Sequence, residues 1–184
     1  MASPQDISPV NSDEFPIPAK MAHMVLFSSN VEAMADWYRQ VLGCKTVHEW
    51  TEPRRAIFMS YDEEHHRVAV MEPAGGVVPA PRNAAGLAHV AYSYAGFDNL
   101  LTTYERLIGL GIEPARCINH RLSTSFYYQD PDGNGVELFT DNPGTPEDLK
   151  AAFDLPTVVF DPADLLIRWR AGASAEEMAL AGVR

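Results

Sequence analysis

AHMVLFSSNVEAMADWYRQVLG, residues 22–43, can be written above AHVAYSYAGFDNLLTTYERLIG, residues 88–109, at a fixed offset of 66 and without a gap. His23 then meets His89, Met34 meets Leu100, Tyr38 meets Tyr104, Leu42 meets Ile108 and Gly43 meets Gly109. Further along, FMSYD (58–62) lies above FYYQD (126–130) and VAVM (68–71) above VELF (136–139), both at an offset of 68. Identity at a few positions is cheap. Shared apolar spacing over separate stretches marks an internal repeat, and a repeat sets the architecture before any single element does.

Each copy reads as a strand, a helix and three more strands. Residues 22–28 alternate in the manner of a half-buried strand. Asn30 is placed to cap a helix whose apolar stripe is Val31, Met34, Trp37, Tyr38, Val41 and Leu42. Gly43 follows, where a left-handed residue ends many helices. Short runs at 45–50, 56–61 and 66–72 complete the copy. The second copy predicts a strand over 87–94, a helix over 97–108 closed by Gly109, and strands over 112–118, 124–129 and 135–140. Asp130–Asn134, DPDGN, supplies turn residues between the last two. The fold class expected is α+β: two βαβββ modules, about 20–73 and 86–141, forming one open mixed-sheet cup, with a short helical tail. Residues 1–19 read as a flexible segment, 73–86 as the linker between modules, and 142–184 as a C-terminal helical extension. EDLKAAF and ADLLIRWR are the helical patterns there, and Leu165, Leu166, Ile167 and Trp169 are too apolar for a free tail, so they pack on the sheet or on a second subunit.

The chain has 184 residues, 46% hydrophobic and 21% charged, with a net charge of -11. The charge disfavours nucleic acid as a partner, because phosphate neutralisation needs a basic face. No apolar run is long enough to span a membrane. The opening residues lack the basic-then-apolar pattern of a secretory signal. Cys44 and Cys117 make neither a disulfide framework nor a zinc cluster and read as free thiols. A cytoplasmic location is the expectation.

Chemistry rests on six histidines: His23, His48, His65, His66, His89 and His120. Alternate residues of a strand share a face. His23 therefore groups with Val25 and Phe27, His89 with Ala91 and Ser93, and Glu137 with Phe139. If the repeat makes His23 and His89 equivalent in one shared sheet, these two imidazoles and Glu137 are the 2-His-1-carboxylate set of a non-haem Fe(II) oxygenase. The residue aligned with Glu137 in the first copy is Ala69, which cannot ligate. Three protein ligands leave coordination positions free for a bidentate substrate and dioxygen. A lone histidine at a strand start is more often structural than ligating; the repeat favours ligation. Tyr127, His66 and His120 are suited to proton chemistry, although His65–His66 also read as a solvated hairpin and FYY as sheet packing. His48, without a repeat partner, reads as surface or structural.

These positions resemble the vicinal-oxygen-chelate superfamily, and within it the type I extradiol catechol dioxygenases, over roughly residues 20–141. AHMVLFS and GLAHVAYS resemble the strands that carry the family's ligand histidines. DEEHHRVAVM resembles the segment of its catalytic histidine, at His66. SFYYQDPDGNGVELF resembles the closing hairpin with its tyrosine and glutamate, at Tyr127 and Glu137. NHRLSTSFYY resembles the stretch holding its acid–base histidine, at His120, with a shorter interval to the tyrosine than in the larger two-domain members. The resemblance implies metal ligands His23, His89 and Glu137, catalytic residues His66, His120 and Tyr127, and Fe(II) as cofactor, with Mn(II) the other ion the set accepts. It implies an aromatic diol and dioxygen as substrates. The apolar residues of the C-terminal tail point to a homo-oligomer, dimeric or larger. Val25, Phe27, Met59, Ala91 and Phe139 are the expected pocket walls. Two other readings stay open on the same fold: a glyoxalase-type metal-dependent isomerase or lyase, which would want a fourth ligand where Ala69 stands, and a metal-free protein that sequesters a small molecule.

Overall fold

Asn30 caps the first helix as expected, its side chain accepting from the Ala33 N–H at 3.1 Å, and Gly43 ends it with φ 69°. The computed structural model describes residues 18–76 and 85–183. The flexible segment expected over 1–19 and the linker expected over 73–86 fall largely outside them. Module one consists of β1 (Met24–Phe27), α1 (Val31–Leu42), β2 (Lys45–Trp50), β3 (Ala56–Ser60) and β4 (Val68–Met71). Module two repeats the order with β5 (Val90–Ser93), α2 (Phe97–Gly109), β6 (Arg116–Asn119), β7 (Ser123–Gln129) and β8 (Gly135–Asp141).

The second helix ends differently from the first. Gly109 stays helical, and the left-handed residue is Gly111, at φ 75°. An apolar residue, Leu110, separates them, so the repeat alignment misplaces this cap by two residues.

The strands form two sheets, not one shared sheet. Their orders are β1-β4-β3-β2 and β5-β8-β7-β6-β9. In each, the first strand runs parallel to the fourth, and the other pairs are antiparallel. β1 and β5 are both edge strands, so no ladder fixes the distance between His23 and His89. The modules are joined behind the sheets. Val31, Met34, Val41, Leu100, Leu107, Phe126 and Leu138 belong to one continuous core between the helices and the sheets. The buried Tyr38 hydroxyl donates to Asp130 at 3.1 Å, tying α1 to the turn of module two, and Arg106 on α2 donates to the Gln40 carbonyl.

Burial along β1 and β5 alternates. Met24, Leu26 and Tyr92 pack toward the core, while Val25, Phe27, Ala91 and Ser93 face the open side of the cup. That is the period-two pattern of a half-covered strand.

The C-terminal extension folds back on module two. It contains α3 (Pro146–Ala152), β9 (Val158–Val159), α4 (Pro162–Arg170) and α5 (Ala175–Met178). The short β9, absent from the sequence reading, pairs with β6. Leu165 and Leu166 are buried in the chain's own core, and Trp169 donates to Asp98 of α2 at 2.7 Å. The chain's own sheet and helix thus cover Leu165, Leu166 and Trp169, whereas Ile167, expected to be covered with them, stays 64% exposed.

Candidate metal centre

Cross-strand register sets the site in rows. Across the second sheet, Ala91 faces Glu137, Glu137 faces Tyr127, and Tyr127 faces Arg116. Across the first sheet the corresponding row is Val25, Ala69, Phe58 and His48. Ala69 therefore stands where Glu137 stands, as the repeat predicts. The counterpart of Tyr127 is Phe58, an offset of 69 rather than 68. Met59, expected as a pocket wall, is fully buried on the helix side and Phe58 takes its place. A bulge between Thr46 and His48 brings His48 into the row, opposite Phe58. His48 thus has a structural partner in Arg116, where sequence comparison finds none, because a bulge shifts the face of every later residue.

Glu137 is the centre of the second row. It is buried, 7% exposed. His89 Nε2 lies 2.9 Å from its Oε2, and the Tyr127 hydroxyl donates to its Oε1 at 3.0 Å. His120 Nε2 lies 2.8 Å from the same hydroxyl. His89, Glu137, Tyr127 and His120 thus form one connected polar line on the second module. Burial, then the hydrogen bond to Glu137, raises the Tyr127 hydroxyl to about 12. It stays protonated and remains a donor at neutral pH. The Arg116 guanidinium stacks 4.6 Å from the centre of the Tyr127 ring, a cation–π contact that fixes the ring plane.

Gly135 allows the His89–Glu137 approach, and the sequence reading passed over it. It faces His89 on the neighbouring strand. A Cβ on it would lie 2.4 Å from the Ala88 carbonyl oxygen and 3.0 Å from His89 Cβ. Only glycine lets the two backbones come this close. The signal was present in the sequence as a second glycine after the turn, two residues before Glu137.

The other predicted residues gather on the first sheet. His23 precedes β1, and His66 lies in the loop before β4, not within the strand expected over 66–72. The His23 and His66 rings are 4.2 Å apart, and His65 joins them. Ligand atoms of His23, His65 and His66 all lie within 4.8 Å of one another, the one such trio of metal-binding side chains among the described residues. His23, His89 and Glu137 form no trio that tight. The structure brings together His89 with Glu137 and His23 with His66, on facing sheets. Burial lowers His66 below the ordinary histidine range, with the charges of His23 and His65 acting in the same direction.

Arg67 fixes the approach to His23. Its side chain grips Asp62 through both carboxylate oxygens, at 2.8 to 3.1 Å. It also donates to the carbonyls of Met21 and Ala22 at 3.1 and 2.9 Å, immediately before His23. From the histidines an aromatic strip runs outward: His66 meets Phe58 at 5.3 Å, and Phe58 meets Trp50 at 4.8 Å between ring centres.

The donor set fits a divalent cation. A buried carboxylate is costly unless paired, and Glu137 has one imidazole nitrogen and one phenol to balance it. Imidazole nitrogens with a carboxylate oxygen suit a divalent transition metal, and thiolates are absent from the site.

Comparison with known proteins shows the family. The model of the Glyoxalase/Bleomycin resistance protein/Dioxygenase superfamily matches residues 20–138. Biphenyl-2,3-diol 1,2-dioxygenase 2 of Rhodococcus globerulus is 44% identical over 150 residues, covering 78% of this chain and 77% of that protein. Biphenyl-2,3-diol 1,2-dioxygenase 3 of the same organism is 39% identical over 86% of both chains. A glyoxylase/bleomycin resistance protein/dioxygenase domain from Frankia sp. EAN1pec shares the fold, with a TM-score of 0.59 at 17% identity over 70% of this chain and 96% of that one. From the duplicated module, the buried His–Glu–Tyr line and these matches together, the chain belongs to the glyoxalase/bleomycin resistance protein/dioxygenase superfamily, where two curated dioxygenases are among its relatives.

Proposed function

We propose that this chain is an extradiol dioxygenase, cleaving the ring of a catechol-type aromatic beside its vicinal hydroxyls with dioxygen. The observation that carries the reading is the His89–Glu137–Tyr127–His120 line, with His23 and His66 on the facing sheet. Its relatives' names support a biaryl diol as substrate, and the Trp50–Phe58 strip offers an aromatic wall for a second ring.

In this reading His23, His89 and Glu137 hold Fe(II), or Mn(II) in its place. When bound, the ion supplies the one-electron chemistry with dioxygen that no side chain can perform. Tyr127, its single hydroxyl proton turned from Glu137, donates to one diol oxygen and orients the ring. His120, at the Tyr127 hydroxyl, takes a proton from the diol and returns it. His66 donates a proton late in the reaction, on the side of the ring facing the first sheet. Ala69 adds no fourth protein ligand, which favours this reaction over a glyoxalase-type isomerase, and the buried Glu137 argues against a metal-free binding protein.

Residues 20–141 then form the catalytic domain and 142–184 its extension. Among the described residues no helix is long and apolar enough to cross a membrane. Cys44 and Cys117 are free and buried, in keeping with a cytoplasmic enzyme. A homo-oligomer is part of the reading. Its support is the exposed Phe153, Leu155, Val159 and Ile167 rather than the buried Leu165 and Leu166. Light scattering of the purified chain decides it.

The test is anaerobic loading with Fe(II), then exposure of a panel of catechols, including 2,3-dihydroxybiphenyl, to air. A yellow ring-opened product with matching oxygen uptake is expected. Bound iron without colour or oxygen uptake on every diol overturns the reading. Glu137→Ala should abolish iron retention. His66→Ala should retain iron and slow turnover.

A further inference from the structure

We propose that the C-terminal extension positions the acid–base histidine: acting through Asn119 and Arg121, it holds the His120 turn in the one conformation that sets the imidazole against Tyr127. This rests on the role given to His120 above.

The β6–β7 connection is three residues long, His120 to Leu122. Arg121 within it has φ 73°, the one non-glycine residue in the left-handed region among those described. A long L side chain adopts this conformation only where its surroundings enforce it. The enforcement is visible. Asn119 Oδ1 accepts from the Arg121 N–H at 2.8 Å. Asn142 Nδ2 donates to the Arg121 carbonyl, and the Asn142 N–H donates to the Leu122 carbonyl, both at 2.8 Å. Thr124, fully buried, donates to Asn142 Oδ1 at 2.8 Å.

The extension supplies the other half. The Asn119 side chain is fully buried, and its Nδ2 donates to the carbonyls of Ala179 at 2.7 Å and Ala181 at 3.1 Å. Its two amide ends thus face opposite ways, the oxygen to the turn and the nitrogen to the tail. Arg121 Nε reaches the Pro156 carbonyl at 2.9 Å. Between these anchors β9 pairs with Ile118 and Asn119, the two residues preceding His120. The extension therefore grips the turn from two separated stretches of its own sequence, 156–159 and 179–181. A tail that merely covered apolar surface would need Leu165, Leu166 and Met178. It would not need two carbonyls aimed at one buried amide.

The test uses the full chain with Asn119→Ala, alone and combined with Arg121→Gly. Glycine takes positive φ without strain, so it lets the turn keep its shape once Asn119 no longer enforces it. Turnover with 2,3-dihydroxybiphenyl is measured beside the ¹⁵N resonances of the His120 ring in the metal-free protein. Asn119→Ala is expected to lower kcat about tenfold, since small misplacement of a reacting group is costly, with KM and iron content kept. It should also move the His120 Nε2 resonance toward that of a freely hydrated ring, and Arg121→Gly should recover both in part, because it relieves the positive-φ strain but also removes the tether to Pro156. An unchanged resonance and kcat in Asn119→Ala overturns the proposal. So does a loss that follows only the unfolded fraction and is not recovered by glycine. If Asn119→Ala does not fold, Arg121→Met, which cuts the tether to Pro156, is read the same way. Should the wild type cleave no diol, the functional reading fails, and the His120 resonance still decides whether the extension sets the turn.

Discussion

The Tyr127 hydroxyl donates to Glu137 Oε1 at 3.0 Å from the directly opposed position on the neighbouring strand. The pairing is set by the register of β7 on β8, not by proximity in sequence. It makes Tyr127 a partner of the buried carboxylate, and its single hydroxyl proton becomes a donor to the diol only on leaving Glu137. Tyr127→Phe should leave the fold intact, reduce iron affinity modestly and lower kcat by about 10²-fold, the lower end of what a placed proton donor contributes. Steady-state rates beside iron content per chain separate the two effects.

Gly135 opposes His89 where the backbones touch. Gly135→Ala puts a methyl group 2.4 Å from the Ala88 carbonyl oxygen, so β5 and β8 must part there. The expected cost is about 1–3 kcal/mol of stability, as for overpacking elsewhere, together with weakened metal retention because His89 moves from Glu137. Urea unfolding and iron titration measure both.

Asp62 predicts an acid transition. Its hydrogen bonds from Arg67 hold the carboxyl at about 2, below its ordinary value of 3.8. A depressed folded-state value adds stability that is full above the unfolded value and is lost as pH falls through the folded one. The wild type should therefore lose stability between about pH 4 and 2 more steeply than Asp62→Asn, followed by circular dichroism. The Arg67 contacts to Met21 and Ala22 should loosen in the same window.

Trp50 is half-exposed, at the outer end of the aromatic strip, 4.8 Å from the ring of Phe58. Trp50→Ala should lower kcat/KM for 2,3-dihydroxybiphenyl about tenfold, one stacked ring's worth of contact, and leave that for unsubstituted catechol within about twofold. Equal losses on both diols would give Trp50 a structural role only.

Leu165 is 1% exposed within the core shared by the extension and module two. Leu165→Ala should cost about 2–5 kcal/mol, as buried leucine truncations do. The whole chain should still melt in one transition. A separate early transition for residues 142–184 would show the extension to be an independent unit.

The sequence by itself determined the repeated βαβββ unit. Apolar residues at helical spacing after Asn30 and after Gly96, and at alternate positions along β1 and β5, leave those segments one way each to bury their apolar side. It also aligned Ala69 with Glu137, and the register of β4 against β1 and β3 keeps Ala69 in that place. The tertiary structure decided what depends on register and on contacts distant in sequence. The bulge before His48 moved that residue into the cup row, and the offset of β3 against β4 exchanged Met59 for Phe58, because a one-residue slip turns a side chain to the other face. The separation of His23 from His89 followed from two edge strands with no ladder between them. The attachment of residues 179–181 to Asn119 spans about sixty residues and leaves no periodic trace, and only the folded chain brings those carbonyls to the turn that carries His120.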